Sequence, residues 1–307
     1  MTLLHAHTEV ALLGFLDEVI LHGFLDTLKL IPFLFLTYLL MEFIEHKATG
    51  KTTAFIKKAG TLGPLPAALL GAVPQCGFSA AAANLYTGRV ITLGSLVAVF
   101  LSTSDEMLPV LLSGGFPLTD VLVIVAYKAL VAVAVGFAVD GVLRLFGKGE
   151  EEINIDELCD ADDCHCERGI LYSALHHTAT TGLFLLLVTL FINAAIFFIG
   201  EDALATVMYN KPFISHAIAA VFGLIPNCAA SVTLAAFASE GIITAGTMIA
   251  GLFSGSGVGL LVLFKMNKNL KQNLAITAFL VFTGFLFGLL ADCIPFFADL
   301  LQTKIST

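Results

Sequence analysis

Tryptophan is absent from this chain, and charge is scarce: only 13% of its 307 residues are Asp, Glu, Lys or Arg. Soluble domains carry about a quarter charged residues, so an ordinary water-soluble globule is excluded. The missing tryptophan removes the usual headgroup anchor of membrane proteins and leaves Tyr38, Tyr86, Tyr127, Tyr172 and Tyr209 to form part of an interfacial belt. No Lys or Arg precedes Lys29, so no cleavable signal peptide, with its positive start, is expected. Basic patches suited to nucleic acid are missing as well. The net charge of -9 comes partly from one acidic stretch at 150–163. No Gly-x-x-x-x-Gly-Lys-Ser/Thr loop occurs, which argues against a self-contained ATP-driven pump. The six cysteines do not form the evenly spaced framework of a small secreted disulfide protein.

What is present is hydrophobic: 58% of residues are apolar and the mean hydropathy is +0.94. Apolar runs near 20–46, 92–112, 120–145, 171–199, 243–264 and 273–299 each approach the length that lets a helix cross a bilayer. Two further apolar stretches, 60–88 and 212–240, are interrupted by Pro74-Gln75-Cys76-Gly77 and Pro226-Asn227-Cys228-Ala229. Each half is about a dozen residues, too short to cross alone. A helical hairpin or discontinuous helix is expected at both places, and unwound backbone at depth requires a protein or water-filled surrounding.

The two interruptions belong to an internal repeat. One constant offset pairs 71–76 with 223–228, Ser79 with Ser231, Gly94 with Gly246, Ser102 and Ser104 with Ser254 and Ser256, Gly136 with Gly288, and Asp140 with Asp292. The expected organisation is a first transmembrane repeat at 1–146, an acidic Cys/His loop at 147–169, and a second repeat at 170–307. Lysine and arginine cluster after the first span, around the central loop and at 265–271, which places those loops in the cytoplasm. Each repeat then contains three full crossings plus one broken helix or hairpin. The odd parity inverts the second repeat relative to the first and puts both termini outside a bacterial-type inner membrane. The fold class expected is an all-α polytopic membrane protein of about ten helices. Inverted repeats with broken helices near the midplane are a transporter design, because helix ends and free backbone groups there can replace an ion's water.

Several side chains are candidates for the pathway. Gln75 and Asn227 offer amide groups, Cys76 and Cys228 soft sulfur, and Asn84 a further amide. The blander reading is that the amides satisfy freed backbone and the cysteines pack as small hydrophobes. Ser102-Thr103-Ser104-Asp105-Glu106 sets two adjacent carboxylates in an apolar span, where each charge costs at least ~2.5 kcal/mol. The repeat-related positions are Gly257 and Val258, so the charge reads as acquired function, unless the pair lies solvated at the end of the span. Lys128, in the next span, is either a salt-bridge partner for those carboxylates or a coupling residue. Glu18, His22, Asp26 and Lys29 form a polar stripe, with His176-His177 at the matching place in the second repeat; pathway and membrane interface are both open for it. Asp140 and Asp292 read as capping or boundary residues near the ends of the last spans. In the central loop, Cys159, Cys164, His165 and Cys166 among aspartates make a soft-metal site, or an acidic linker with incidental cysteines.

Pro74-Gln75-Cys76-Gly77-Phe78-Ser79, Ser102-Thr103-Ser104-Asp105-Glu106-Met107-Leu108-Pro109 and Pro226-Asn227-Cys228 together resemble the ten-helix heavy-metal exporter family, whose members carry the labels manganese transporter and arsenic efflux protein. The resemblance implies efflux of a metal or metalloid from the cytoplasm. Ligand chemistry leans to Mn²⁺, which prefers carboxylate, carbonyl and water; Asp105, Glu106, Gln75, Asn227, Asn84 and the serines Ser79, Ser102, Ser104, Ser231, Ser254 and Ser256 supply oxygen. Trivalent arsenic would want clustered thiols. The expectation is therefore a secondary transporter, not an enzyme, driven by proton exchange. Its partners are the metal ion and the bilayer, with self-association left open. No permanently bound cofactor is expected beyond the transported ion. A transmembrane thiol–disulfide relay through Cys76 and Cys228 ranks second, though it leaves Asp105 and Glu106 unexplained. A metal sensor without transport ranks third, and an intramembrane hydrolase lower still.

Overall fold

The computed structural model describes residues 16–47, 63–73, 77–104, 107–146, 170–199, 212–226 and 228–297. Every regular element among these residues is helical. A π-helical turn, Leu16–Leu21, leads into α1, His22–Lys47. Then follow α2 (Pro64–Gly71), α3 (Gly77–Thr87), α4 (Leu93–Ser102), α5 (Met107–Ser113) and α6 (Leu118–Leu145). The second set is α7 (Ile170–Ile199), α8 (Pro212–Phe222), α9 (Cys228–Ser239), α10 (Ala245–Ser254), α11 (Gly259–Met266) and α12 (Leu270–Asp292). Every helix of the first set has a counterpart in the second at the repeat offset.

The interruptions expected at Pro74 and Pro226 fall between two short helices in each repeat, α2 and α3 in the first and α8 and α9 in the second. The runs at 92–112 and 243–264, read above as continuous crossings, are not continuous. Thr103 and Gly255 cap α4 and α10 with extended or irregular backbone, and the chain resumes as α5 and α11. The cause is local. Ser102 and Ser254 turn their hydroxyls back onto carbonyls of their own helices, and glycines at 255 and 257 weaken the second helix where it ends. With each broken pair counted as one crossing, the described residues form ten apolar helical units.

The broken pairs occupy the centre. Three-quarters or more of their spans is buried, against one-third for α1, α6, α7 and α12. Those four outer helices turn apolar faces outward, with Leu130 and Phe191 among the most exposed, as lipid-facing helices do. Within each repeat the same three helices pack on one another: α2, α4 and α6, then α8, α10 and α12. Across the repeats the contacts exchange. Helix α3 packs on α11 while α9 packs on α5, and α1 meets α7 as α4 meets α10. Such reciprocity is what a two-fold relation between the halves requires.

Small residues make the close crossings, as in membrane bundles generally. A Cβ on Gly94 would lie 2.2 Å from the Gly136 carbonyl oxygen, and one on Gly246 would lie 2.4 Å from that of Gly288. The turns before α4 and α10 also match: Arg89 and Gly241, related by the repeat, both take positive φ, 55° and 72°.

Tyr38 corrects the belt of interfacial tyrosines. It is buried between α1, α3 and α7, so it anchors no headgroup. Tyr127 is half-buried and donates to the Phe287 carbonyl at 3.0 Å, while Tyr172 is exposed.

Candidate functional site

A cavity opens where the broken helices meet. Thr103 and Ser104 line it from the end of α4, Leu252 and Gly255 from the end of α10, and Ile225 and Ser231 from either side of the α8–α9 interruption. The lining is thus drawn from the discontinuities of both repeats. The last turn of each helix leaves carbonyl groups without intrahelical partners, and the aligned peptide dipoles put partial negative charge there. Two C-terminal ends, α4 and α10, present this charge to the same region.

Lys128 answers it. Its side chain is wholly buried on α6, and its ammonium donates to the Thr103 carbonyl and, at 2.8 Å, to the Leu252 carbonyl. The Phe253 ring centroid lies 5.9 Å from the same nitrogen. Neither carbonyl was among the candidates read from sequence, because a backbone oxygen has no sequence signature.

The remaining candidates separate. Ser104 and Ser231 reach the cavity. Ser102 and Ser254 are buried beneath the crossings of Gly71 and Gly223, where their hydroxyls bond within their own helices. Ser256 is buried in the α10–α11 break. Ser79 is buried at the α3–α11 seam, where its carbonyl faces the close approach of Gly259. Gln75, Cys76, Asp105, Glu106, Asn227 and the loop residues Cys159, Cys164, His165 and Cys166 lie outside the described residues, as do the side chains of Asp26 and Cys228. No group of three or more His, Cys, Asp or Glu side chains suited to a metal occurs among the described residues. Among the described residues the polar side chains lining the cavity are those of Thr103, Ser104 and Ser231, in a lining that is otherwise apolar.

Asn84 belongs to a second polar cluster, formed where α1, α3, α7 and α11 meet. The Tyr38 hydroxyl lies 2.8 Å from Thr181 Oγ1, 3.5 Å from Asn84 Oδ1 and 3.8 Å from Met266 Sδ. Lys265 donates to Thr181 Oγ1 at 2.7 Å, and His177 stacks on Tyr38 with centroids 5.3 Å apart. Asn84 is wholly buried, and its Nδ2 has no hydrogen-bond partner among the described residues. Of the adjacent histidines, His177 faces inward to this cluster, while His176 is exposed against Tyr172.

Asp140 and Asp292 do more than mark helix ends. Asp140 accepts from Thr92 Oγ1 at 2.7 Å and from the Gly94 N–H at 2.8 Å, which fixes the start of α4. Asp292 accepts from Thr244 Oγ1 and the Gly246 N–H, both at 2.8 Å, at the start of α10. The second repeat adds His216, whose Nε2 lies 3.0 Å from Asp292 Oδ2; the repeat-related residue is Pro64. The identity of both aspartates across the repeat, with threonines and glycines matching too, was the signal that could have exposed this pairing.

Residues 17–196 match the family described as "Putative, 10TM heavy-metal exporter". The match covers more than half of the chain and runs from the first helix into α7. The chain belongs to this family. It is accordingly a polytopic helical membrane protein of the 10TM heavy-metal exporter family, a class of transporters and not of enzymes. No curated protein sequence and no solved structure shows a significant match.

Proposed function

We propose that the protein is a secondary transporter that exports a divalent metal cation, Mn²⁺ first, from the cytoplasm in exchange for protons. The observation that carries this reading is the convergence of two discontinuous helices, one from each repeat, on a small and largely apolar cavity that Thr103, Ser104 and Ser231 also line. Broken backbone at membrane depth needs a protein or water-filled surrounding, and oxygen donors suit Mn²⁺ and other hard cations better than soft ones. In this reading Asp105 and Glu106, which follow Ser104 directly, coordinate the cation or carry the exchanged proton. Gln75 and Asn227, in the hairpin breaks, act as neutral ligands. The repeats at 1–146 and 170–307 are inverted in an inner membrane, with both termini external.

The test is total cellular metal and arsenic by mass spectrometry under graded Mn²⁺, Zn²⁺, Fe²⁺ or arsenite load. Cells carry either the wild type or the Asp105→Asn/Glu106→Gln double variant. Selective Mn depletion that the double variant loses is the expected result. Arsenic depletion instead would name the metalloid permease, and unchanged metal and arsenic throughout would sink the exporter reading.

A further inference from the structure

Among the described residues, Lys128 is a wholly buried cation at a place where helix ends from both repeats converge. Its ammonium is held by the Thr103 carbonyl at the cap of α4 and by the Leu252 carbonyl in the last turn of α10, with the Phe253 ring beside it. These oxygens come from positions separated by 25 and 124 residues along the chain, so only the assembled centre creates the pair. Each C-terminal end carries about half a unit of negative charge.

The arrangement is not a product of the repeat. The position on α12 that corresponds to Lys128 is Leu280, fully buried and apolar. A single lysine therefore serves a pair of ends that the duplication made alike. Thr103 and Leu252 also line the cavity, so the ammonium is bonded to two residues of the cavity wall that a small cation there would meet. Carbonyl oxygens replace the water of a metal ion as readily as they accept from an ammonium.

We propose that Lys128 is a tethered occupant of the cation seat: its ammonium and a compact, oxygen-preferring cation exclude one another from the carbonyls of Thr103 and Leu252. The inference rests on the transporter reading and adds to it the device that keeps the seat filled between cargoes. A cation takes the seat ligand for ligand, and the site holds one positive occupant at a time. A plain structural clip, in which Lys128 merely staples α4 to α10, predicts no such competition.

The experiment uses the full chain in detergent micelles, with Mn²⁺ as the probe and calorimetry as the readout. Lys128→Met empties the seat while keeping the length of the side chain. It is expected to bind Mn²⁺ at least tenfold more tightly than the wild type, whereas Lys128→Arg, which keeps a fixed charge, binds no better. Equal or weaker binding by a folded Lys128→Met, shown by an unchanged melting and size-exclusion profile, overturns the proposal. If that variant does not fold, amine labelling of Lys128 in the wild type decides, read by peptide mass spectrometry. Mn²⁺ should raise the labelling of Lys128, and labelling indifferent to Mn²⁺ rejects the competition. Mn²⁺ flux into vesicles separates the two readings. Flux by the wild type without the binding change keeps the exporter and removes the tether. Tighter binding by Lys128→Met without wild-type flux keeps the seat and removes Mn²⁺ export.

Discussion

Asp140 and Gly94 are joined by a 2.8 Å hydrogen bond from the Gly94 N–H to the carboxylate, and Asp292 and Gly246 are joined identically one repeat later. The bond ties the last long helix of each half to the start of its broken helix, and the missing Cβ at Gly94 and Gly246 is what lets the carboxylate come so close. A carboxylate that accepts from a free N–H in the first turn is also favoured by the helix dipole.

Asp140→Ala should therefore lower stability by about 2 kcal/mol, as expected for hydrogen bonds to a charged group that leave buried donors unpaired. Asp140→Asn keeps an acceptor for the Gly94 N–H and should lose less than half of that. Thermal unfolding in detergent checks both; an alanine variant that melts with the wild type would mean that the cap is not holding α4.

Gly94→Ala should abolish or strongly reduce folded protein. Its Cβ would fall 2.2 Å from the Gly136 carbonyl and 2.5 Å from the Asp140 carboxylate, neither of them a flexible chain end. Gly141→Ala is the control, since nothing lies within 4 Å of its Cβ. There the better helix propensity of alanine should leave stability unchanged or raise it by about 1 kcal/mol. Fluorescence-detected size exclusion would read the contrast between the two variants.

Asn84→Leu should separate stability from transport. The Asn84 Nδ2 is buried without a partner among the described residues, and an unsatisfied buried donor costs about 1–3 kcal/mol. An apolar residue there should raise stability by about 1 kcal/mol, the direction expected when a functional group is removed. Metal efflux should fall at least tenfold if the amide serves the pathway. Normal efflux by a stabilised Asn84→Leu protein would take Asn84 off it.

Tyr38→Phe removes the hydroxyl that lies 2.8 Å from Thr181 Oγ1, in contact with Lys265 through the same threonine. The loss should be about 1 kcal/mol, the net value of one intramolecular hydrogen bond. A double-mutant cycle with Thr181→Val should show coupling of similar size; strictly additive effects would mean that the two hydroxyls are neighbours without interaction.

How far the sequence reaches can be judged position by position. Apolar run lengths and scarce charge determined a helical membrane protein, because lipid leaves no other solvent for such a chain. Pro74 and Pro226 marked the interruptions that follow α2 and α8, because an interior proline removes a helix hydrogen bond and clashes with the turn before it; Pro32, carried inside α1, shows that proline alone does not decide. The constant offset determined which residues are counterparts, and every helix honours it. The breaks within 92–112 and 243–264 were half legible. Gly255 and Gly257 signalled the second, while Ser102-Thr103-Ser104 reads as tolerable helix until its hydroxyls are seen to fold back. Tertiary structure alone decided the rest. Lys128 meets Thr103 and Leu252 through main-chain oxygens, which every residue carries and no side chain advertises. Tyr38 reads as an interface anchor along the chain and becomes a buried hub only when α1, α3, α7 and α11 close around it. A side chain's partners across the bundle follow from how helices pack, and packing joins residues that periodicity along one helix cannot see.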